Sequence, residues 1–417
     1  MLKYEAVPSE LAAKLLENYR AGSSFFWSSP KQTLLARGEY TRLIAPGEPD
    51  RLVSLPQRVA KCFAELKSAG HNQSVIVGAI PFDCMVPAEL VVPKTIEWAG
   101  PLSMNSEIRV DEPVASVYKI HEVPEPAEYI ESVNQVLVRL ARGDLQKVVL
   151  SRSLHINLPT VVDTHHLLRN LARHNPHGYT FGMNLSKVEV DESSEGLLSM
   201  NDGPLTLIGA SPELLVTKEG IRIKANPLAG SAARSDDPME DERRAATLLA
   251  STKDRHEHAV VVEAVVAALS PYCKTLEVPS EPSLAQTNTM WHLSTEINGE
   301  LEDIRTSVLE LAMALHPTPA VCGTPTDLAR EVIKEIEPFE RGFFTGLVGW
   351  CDSSGNGEWA VTIRCAEVEN RTLRLFAGAG IVSGSSGEEE LAETSAKLGT
   401  MFRALGLRQP SEVTGEG

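Results

Sequence analysis

The chain has 417 residues, of which 42% are hydrophobic and 23% are charged, so it can bury a large core. Its formal net charge of -17 argues against nucleic acid or an anionic membrane as the natural partner. For the same reason, an anionic small substrate would need a local positive site or a metal ion. The six cysteines form no CxxC pair and are too sparse for a disulfide scaffold, which favours reduced thiols in a cytoplasm.

The sequence carries no recognisable targeting segment or linker. Residues 1–22 predict an amphipathic helix with charges throughout, without the uninterrupted apolar stretch of a signal peptide. No run of 18 apolar residues predicts a membrane span. No repeat, low-complexity tract or Pro/Gly/Ser linker divides the chain, so we expect one domain over residues 1–417. We also expect a monomer, although the surface composition does not fix the oligomeric state.

The predicted elements alternate in blocks along the chain. The Pro-rich region 80–125 indicates an irregular surface connection. Because strands come in meanders and helices in blocks, without regular βα alternation, the pattern predicts an α+β fold with antiparallel sheets. Segments rich in Val, Ile and Phe predict strands at 74–82, 147–152, 178–185, 205–230, 344–352, 359–368 and 372–382. Helical apolar spacing predicts helices at 126–142, 165–174, 241–270, 307–316, 327–337 and 387–406.

One predicted strand contains a lysine among apolar residues. In DLQKVVLSRS (144–153), Lys147 shares a face with Val149 and Ser151, since side chains alternate along a strand. An ammonium on an interior face is costly unless something uses it. A lysine kept neutral by an apolar strand can act as a base. The simpler alternative is a lysine that points to solvent or pairs with a carboxylate.

Carboxylates in two further segments are candidates for chemistry. In GASPELLV (209–216), Glu213 enters an apolar strand, where desolvation would raise its pKa and let it donate a proton near neutrality. In STKDRHEHAVVV, helical spacing aligns Lys253 with Glu257. HEH is not HExxH, because His256 and His258 diverge on a helix, so a zinc-protease site is not expected. A turn carboxylate and a solvated first helical turn are the structural alternatives.

The last predicted helix and a nearby strand offer further charged groups. In GEEELAETSAKLGTMFRALG, Glu390, Glu393 and Lys397 lie on a face away from the core stripe. Acidic residues are typical of a first helical turn, but two glutamates with a third carboxylate from elsewhere would also suit Mg²⁺. Arg364 in TIRCA, predicted on a strand, could pair with a substrate carboxylate. FAGAGIV and NPLAGSAAR contain glycines that let backbone amides approach a ligand.

Taken in order, these motifs resemble the chorismate-utilising enzyme family. That family includes isochorismate, salicylate, anthranilate and aminodeoxychorismate synthases, and the overall likeness is greatest to isochorismate synthases of catechol siderophore pathways. The resemblance covers about residues 74–406 and is sparse over 1–73. It implies large antiparallel sheets wrapped by helices around a central cleft. The motifs that carry it are KVVLSR, GASPELL, NPLAGSAAR, KDRHEH, WHLSTEI, LHPTPAVCG, GLVGW, GEWAVTIRCA, LFAGAGIV and ETSAKL.

The resemblance also implies residue roles. Lys147 matches the general base that activates the water attacking C2 of chorismate, and Glu213 matches the general acid that protonates the departing C4 hydroxyl. Glu257 and Glu393 match the carboxylates that hold Mg²⁺, with Glu390 acting near the metal through water. The positions that match substrate contacts are Gly230, His292, Arg364 (for the enolpyruvyl carboxylate), Gly378 and Lys397.

The sequence leaves other functions open. Ammonia-using family members do not have the lysine base at the position of Lys147, which argues against amination. Salicylate synthases share the base, acid and metal site and then eliminate pyruvate, so these motifs do not exclude them. A non-catalytic binding subunit with the same fold is the non-enzymatic alternative, although the presence of Lys147, Glu213, Glu257 and Glu393 argues against it. The motifs do not distinguish siderophore, menaquinone and salicylate pathways.

Overall fold

A computed structural model describes residues 9–43, 52–71, 74–83, 86–104, 118–186 and 204–409. Cys84 and parts of the predicted 1–22 helix and of the 80–125 connection lie outside these ranges. No helix within them is long and apolar enough to cross a membrane. The helices are α1 (Ser9–Glu17), α2 (Leu55–Ser68), α3 (Pro126–Ala141), α4 (Thr164–His174), α5 (Pro238–Ala250), α6 (Thr252–Leu269), α7 (Val308–Leu315), α8 (Thr326–Ile336) and α9 (Gly387–Leu405).

The strands divide into a first and a second group along the chain. The first group is β1 (Ser24–Ser28), β2 (Thr33–Arg42), β3 (Val75–Ile80), β4 (Glu89–Ala99), β5 (Lys119–Val123), β6 (Lys147–Asn157), β7 (Tyr179–Leu185), β8 (Leu205–Ser211), β9 (Leu214–Glu219) and β10 (Arg222–Asn226). The second group is β11 (Leu228–Ala233), β12 (Cys273–Glu277), β13 (Ser283–Gln286), β14 (Met290–Ser294), β15 (Ile297–Leu301), β16 (Gly323–Thr324), β17 (Leu347–Asp352), β18 (Gly357–Val361), β19 (Cys365–Glu369) and β20 (Thr372–Ile381).

Among the described residues, 17 of the strands form one continuous antiparallel ladder. One half runs β12–β15–β10–β9–β18–β17–β3–β4. The other half continues through β2–β1–β7–β8–β19–β20–β6, and β6 pairs on its outer edge with both β5 and β16. A small separate sheet has the order β11–β14–β13. The α+β class with large antiparallel sheets is confirmed.

Apolar side chains on both faces of the strands explain how the layers pack. In β1, Phe25 and Trp27 belong to a core shared with β7 and β17, whereas Phe26 packs with residues of α1 and α4. The helices α2, α6 and α7 share another core with β3 and β9. Since successive strand residues point to opposite faces, one face packs against other strands and the other is covered by helices. The helices therefore wrap the curled sheet.

The Pro-rich region 80–125 is not the irregular connection that its composition predicts. Residues Glu89–Ala99 form the 11-residue strand β4, which pairs with both β2 and β3. Pro93 lies opposite Glu39, where the register with β2 shifts. Proline is tolerated at such a bulge because the ladder there lacks one hydrogen bond. Strand β5 also lies in this region, so that prediction is wrong.

Three predicted elements are each divided. The segment predicted over 205–230 forms the four strands β8, β9, β10 and β11. The helix predicted over 241–270 is two helices, α5 and α6, because Ser251 ends the first and accepts a hydrogen bond from the Asp254 N–H (3.2 Å) as the cap of the second. The strand predicted over 359–368 is β18 and β19, with Arg364 between them at a φ of 51°. The prediction that Arg364 lies on a strand is therefore wrong.

Candidate active site

The predicted site residues meet at a cavity between β20, the small sheet, α6 and α9. Its open space is about 50 Å³. Loops after β8, before β16, before β17 and before β19 complete the wall. Lys147 and Glu390 do not line it. Lys147 forms an ion pair with the lining residue Glu257, and Glu390 forms one with Lys253. The predicted residues that do line it are Glu213, Gly230, Glu257, His292, Arg364, Gly378, Glu393 and Lys397.

Lys147, the first residue of β6, is fully buried. Its Nζ lies 2.9 Å from Oε1 of Glu257 on α6, which lines the cavity. The alternative that this lysine pairs with a carboxylate is therefore confirmed, because helix α6 brings Glu257 onto the strand. The contact is an ion pair by distance, yet its angles do not make a hydrogen bond, so the Nζ donors have no aligned acceptor among the described residues.

Gly380 makes room for this ion pair. It lies on β20 opposite Val149 of β6. A Cβ at this position would collide with the Glu257 carboxylate and lie 2.9 Å from Cε of Lys147. Sequence analysis assigned no role to Gly380, although FAGAGIV, in which it lies, indicated close backbone approach. The missing side chain is therefore what lets Lys147 and Glu257 meet beside the cavity.

Glu213 lies at the turn between β8 and β9 and is 3% exposed. Burial raises the pKa of its carboxyl to about 7, although a hydrogen bond from the Leu228 backbone and the charges of Lys147 and Arg364 act in the opposite direction. Strand β18 holds the turn, because the Val361 N–H donates to the Glu213 carbonyl (3.1 Å). A buried acid with this pKa can deliver a proton to a substrate near neutral pH.

Arg364 and His292 form the positive part of the wall. Arg364 Nη2 lies 3.3 Å from His292 Nε2, and the Arg364 Nε has no hydrogen-bond partner among the described residues. Burial, together with the charges of Arg364 and Lys397, holds the pKa of His292 well below its usual value, so its imidazole is neutral. Arg364 therefore presents a buried guanidinium with an unused donor to the cavity, which suits an anionic ligand.

Each of the three predicted metal-site glutamates faces a lysine. Lys397 Nζ lies 2.6 Å from Glu393, and Lys253 Nζ lies 2.8 Å from Glu390. Burial raises the pKa of Glu393, but the charge and hydrogen bond of Lys397 outweigh it, so the net pKa lies below the usual value. Burial and the charge of Glu393 raise the pKa of Glu390. Lys397 also donates to the Gly378 carbonyl (2.8 Å), which ties α9 to β20.

The donor set at this cavity fits a cation such as Mg²⁺. Glu257 and Glu393 bring carboxylate oxygens to the same wall, and oxygen is the ligand that Mg²⁺ prefers. Within the described ranges, no group of three or more His, Cys, Asp or Glu side chains is arranged to hold a metal by itself. Mg²⁺ is commonly held by one or two carboxylates with water and substrate oxygens completing its shell, so two glutamates are sufficient.

Two glycines let the elements that form the wall pack closely against each other. Gly230 has a φ of 75°, and a Cβ there would lie 3.0 Å from the Asp254 side chain. A Cβ at Gly378 would lie 2.6 Å from Oγ of Ser151. Both positions were predicted as substrate contacts, and both expose backbone rather than a side chain to the cavity.

Sequence analysis missed the uncharged part of the wall. Phe344 and Thr345 precede β17, and Val321 precedes β16. Thr345 has a φ of 59°, an unusual conformation for a β-branched residue. These residues adjoin or lie within the quoted motifs GLVGW and LHPTPAVCG, but nothing in their residue types indicated a role in binding.

A larger groove of about 770 Å³ lies elsewhere, between α2, the start of α7 and the β17–β18 hairpin. Its floor includes Val59 and Phe63, and its rim includes Lys67 and Arg305. It contains none of the predicted site residues. The smaller cavity is the candidate active site because the buried acid, the lysine and the unused donors converge there.

A sequence profile for chorismate binding enzymes matches residues 88–406. The chain therefore belongs to this family of chorismate-binding enzymes.

Individual relatives are similar over nearly the whole chain. Isochorismate synthase DhbC of Bacillus subtilis is 52% identical over 407 residues, which is 98% of this chain and 99% of that protein. The vibriobactin-specific isochorismate synthase of Vibrio cholerae is 39% identical, over 99% of this chain and 100% of that protein. The crystal structure of DhbC from Bacillus anthracis, described as a 2,3-dihydroxybenzoate-specific isochorismate synthase, superposes with a TM-score of 0.86 at 51% identity, covering 95% of this chain and 100% of that one.

Proposed function

We propose that this protein is an isochorismate synthase that isomerises chorismate to isochorismate for the biosynthesis of a siderophore made from 2,3-dihydroxybenzoate. The similar proteins with the functions named above cover almost its full length, which supports the reaction and the pathway. The observation that carries the assignment to this cavity is the raised pKa of Glu213, about 7, in a wall where Arg364 has an unused donor and where Lys147 contacts the lining residue Glu257.

The proposed reaction exchanges one hydroxyl for another. Lys147 takes a proton from water, the water oxygen bonds to C2 of chorismate, and the ring double bonds shift. The C4–O bond breaks as protonated Glu213 gives its proton to the departing hydroxyl, which leaves as water. The substrate thus gains one water and releases one, and a proton passes from Lys147 back to Glu213 through solvent to complete the cycle.

Lys147 can serve as base only when it is not held by its carboxylate partner. In the structure its Nζ lies 2.9 Å from Oε1 of Glu257. Once Glu257 binds another cation, the Lys147 Nζ is released from this contact and lies among Val148 and other buried apolar residues. Engagement of Glu257 would therefore free the Lys147 Nζ to contact water.

We propose that Glu257 and Glu393 hold Mg²⁺, with Glu390 contributing through water. When bound, Mg²⁺ would supply the positive charge that fixes the ring carboxylate of chorismate. Arg364 offers its guanidinium to the enolpyruvyl carboxylate, while Lys397 and the backbone at Gly230 and Gly378 contact the carboxylates. Neutral His292 packs against Arg364 and keeps it in place. With Mg²⁺ at one carboxylate of the substrate and Arg364 at the other, an acidic protein would be able to bind a dianion.

The direct experiment is to incubate the purified protein with chorismate and Mg²⁺ and to resolve the products by chromatography, with and without a chelator. We expect a mixture of chorismate and isochorismate that forms only without the chelator. Salicylate and pyruvate in equal amounts would assign a salicylate synthase instead. No conversion would contradict the proposed enzyme and favour a binding subunit.

The metal site has its own test. Glu393→Gln removes a carboxylate from the cavity, and we expect loss of Mg²⁺-dependent turnover and weaker Mg²⁺ binding by calorimetry, with the fold intact. Glu388→Gln, an exposed acid in the first turn of the same helix, is the matched control and should behave as the wild type. Equal Mg²⁺ affinity in both variants would contradict the assignment of Glu393.

We further propose that residues 1–417 form a single catalytic domain that works as a cytoplasmic monomer. Strands β1 and β2 support the single domain, because they lie inside the sheet between β4 and β7. Light scattering after size-exclusion chromatography tests the monomer. A single cooperative unfolding transition is expected for the domain, and two separate transitions would contradict it.

A further inference from the structure

The outer edge of strand β6 has a gap between its two neighbours. Strand β16 pairs with Lys147 and Val148, and β5 pairs from Ser153 onward. Between them, the backbone groups of Val149 and Ser151 have no strand partner on this edge. The Val149 N–H is satisfied by the Cys322 carbonyl (2.7 Å), but the Val149 carbonyl and the Ser151 N–H, among the other groups on this edge, need different partners. Buried backbone groups of this kind need partners.

A buried ion pair fills the gap. Arg341 Nη2 donates to the Val149 carbonyl (2.8 Å), and the Ser151 N–H donates to Oε1 of Glu337 (2.8 Å). Arg341 and Glu337 bind each other through two hydrogen bonds, of 2.8 and 2.6 Å. Their side chains are 2% and 3% exposed. One side chain thus supplies the donor and the other the acceptor that a neighbouring strand would provide.

The same guanidinium reaches two other parts of the cavity wall. Arg341 Nη1 donates to the Val321 carbonyl (2.8 Å) and lies 3.3 Å from Oγ1 of Thr345. Its Cζ lies 4.6 Å from the centre of the Phe82 ring, so an aromatic face covers it. Val149, Val321 and Thr345 all line the cavity, whereas Arg341 and Glu337 do not.

One of these contacts continues toward the substrate-binding arginine. The Thr345 N–H donates to the Thr362 carbonyl (2.8 Å), two residues before Arg364. Both Thr345 and Arg364 have positive φ values, of 59° and 51°. Such conformations persist only where surrounding contacts fix them. The contact of Arg341 with Thr345 Oγ1 is one of them.

We propose that Glu337 and Arg341 are positioning residues. They fix the position of strand β6, which carries Lys147, relative to Val321 and Thr345 in the cavity wall. They act through backbone and side-chain contacts and do not touch the substrate. The proposal rests on the proposed function in that the reaction they support is the conversion of chorismate. Its structural part, the filling of the sheet gap, is independent of that reaction.

The main test is the double variant Glu337→Leu/Arg341→Met. Both charges are replaced by apolar side chains of similar size, so no unpaired charge is left buried. The fold is therefore expected to persist. The backbone contacts are lost. We expect kcat to fall about 10- to 100-fold with a KM change below about threefold, because a displacement of about 1 Å can cost on the order of 10²-fold in rate.

A matched control is Glu335→Gln. Glu335 lies on α8 near Glu337, and its ion pair with Arg139 is on the surface. This variant should keep the wild-type kcat and KM. A well-folded double variant whose kcat stays within about twofold of the wild type would overturn the proposal. If the double variant does not fold, Arg341→Lys is the test, because lysine keeps the positive charge but cannot make the several directed hydrogen bonds of the guanidinium. An unchanged kcat in Arg341→Lys would overturn the proposal, and a fall of about 10- to 100-fold would support it.

Amide hydrogen exchange separates this proposal from the proposed function. In the double variant Glu337→Leu/Arg341→Met, the Ser151 amide should exchange faster relative to β6 amides that face β5, because its carboxylate acceptor is lost. Unchanged relative exchange at Ser151 would overturn the proposed positioning role even in an active enzyme. Faster exchange at Ser151 in this variant, together with no chorismate turnover by the wild type, would leave the filling of the sheet gap standing and refute only the proposed function.

Discussion

Glu213 and Glu358 are both glutamates in deeply buried positions, exposed by 3% and 4%, but their surroundings differ. Glu358, on β18, lies within hydrogen-bond distance of the indole N–H groups of Trp27 (3.1 Å) and Trp350 (3.4 Å). Ser29 and Gln32 add donors at 3.3 and 3.2 Å. At the Glu213 carboxyl, a hydrogen bond from the Leu228 backbone lowers the pKa, but burial has the larger effect and raises it.

The difference indicates that Glu358 is a structural carboxylate that stabilises the fold, whereas Glu213 is available to act on a substrate. Around Glu358, protein donors from the β1–β2 hairpin replace the water that the carboxylate lost on folding. At the cavity, Glu213 keeps its proton up to about pH 7 and Arg364 keeps an unused donor. Unsatisfied buried groups are costly, so an unused guanidinium donor beside a protonated buried acid in a cavity indicates a ligand that completes them.

The largest expected effect is on catalysis at Glu213. Glu213→Gln keeps the size of the side chain but removes the transferable proton, so kcat should fall about 10²- to 10⁴-fold, the usual contribution of a general acid. Steady-state kinetics with chorismate measures it. Glu358→Gln is the control and should keep the wild-type kcat per folded molecule. A loss smaller than about tenfold at Glu213 would place the acid elsewhere.

A second prediction uses the pH dependence of stability. Burial raises the pKa of Glu213 from 4.5 to about 7 in the folded state. Below pH 4.5 both states are protonated. As the pH rises, the unfolded state loses this proton first, so the folded state loses stability between about pH 4.5 and 7, by about 3 kcal/mol in total. Glu213→Gln has no such titration.

Denaturant unfolding of both proteins at pH 5 and pH 8 measures this contribution. The free energy of unfolding of Glu213→Gln should rise relative to the wild type between these two pH values. A constant difference would mean that Glu213 is already ionised in the folded protein at pH 5, which would contradict its role as a proton donor near neutral pH.

The smallest expected effect concerns Glu358. Glu358→Gln leaves indole donors in a buried site with a weaker acceptor and an amide that cannot satisfy all of them, so unfolding should become easier by about 1–3 kcal/mol. Urea unfolding at neutral pH measures the change. An unchanged free energy of unfolding would show that these hydrogen bonds contribute little to holding the β1–β2 hairpin.

Most helices were more predictable from sequence than the sheet, although helix α2 was not predicted. Helix α9 was predicted within a residue of its observed bounds, since its caps and apolar spacing are local signals. Strand β4 was not predicted, because proline usually argues against a strand, whereas Pro93 is tolerated here at a bulge. Strands β1 and β2 were also missed. Their places depend on partners far along the chain, such as β4 and β7, which no local pattern shows.

The motifs predicted which residues meet at the cavity, but not how they contact one another. Lys147 and Glu257 are 110 positions apart, so their 2.9 Å contact follows only from the packing of α6 on β6. The Glu337–Arg341 pair has the i, i+4 spacing of a helical pair, yet α8 ends at Ile336 and Pro338 follows. Its use as a partner for a sheet edge could not be predicted from that spacing.

The most direct test of the account is to run the reaction in H₂¹⁸O and to determine the position of the label by mass spectrometry. Addition of water at C2 with loss of the C4 hydroxyl predicts isochorismate that carries one ¹⁸O, at the new C2 hydroxyl, from the first turnover. Unlabelled isochorismate would mean that the hydroxyl migrates within the substrate. That result would contradict the roles of Lys147 as base toward water and of Glu213 as acid toward the leaving hydroxyl.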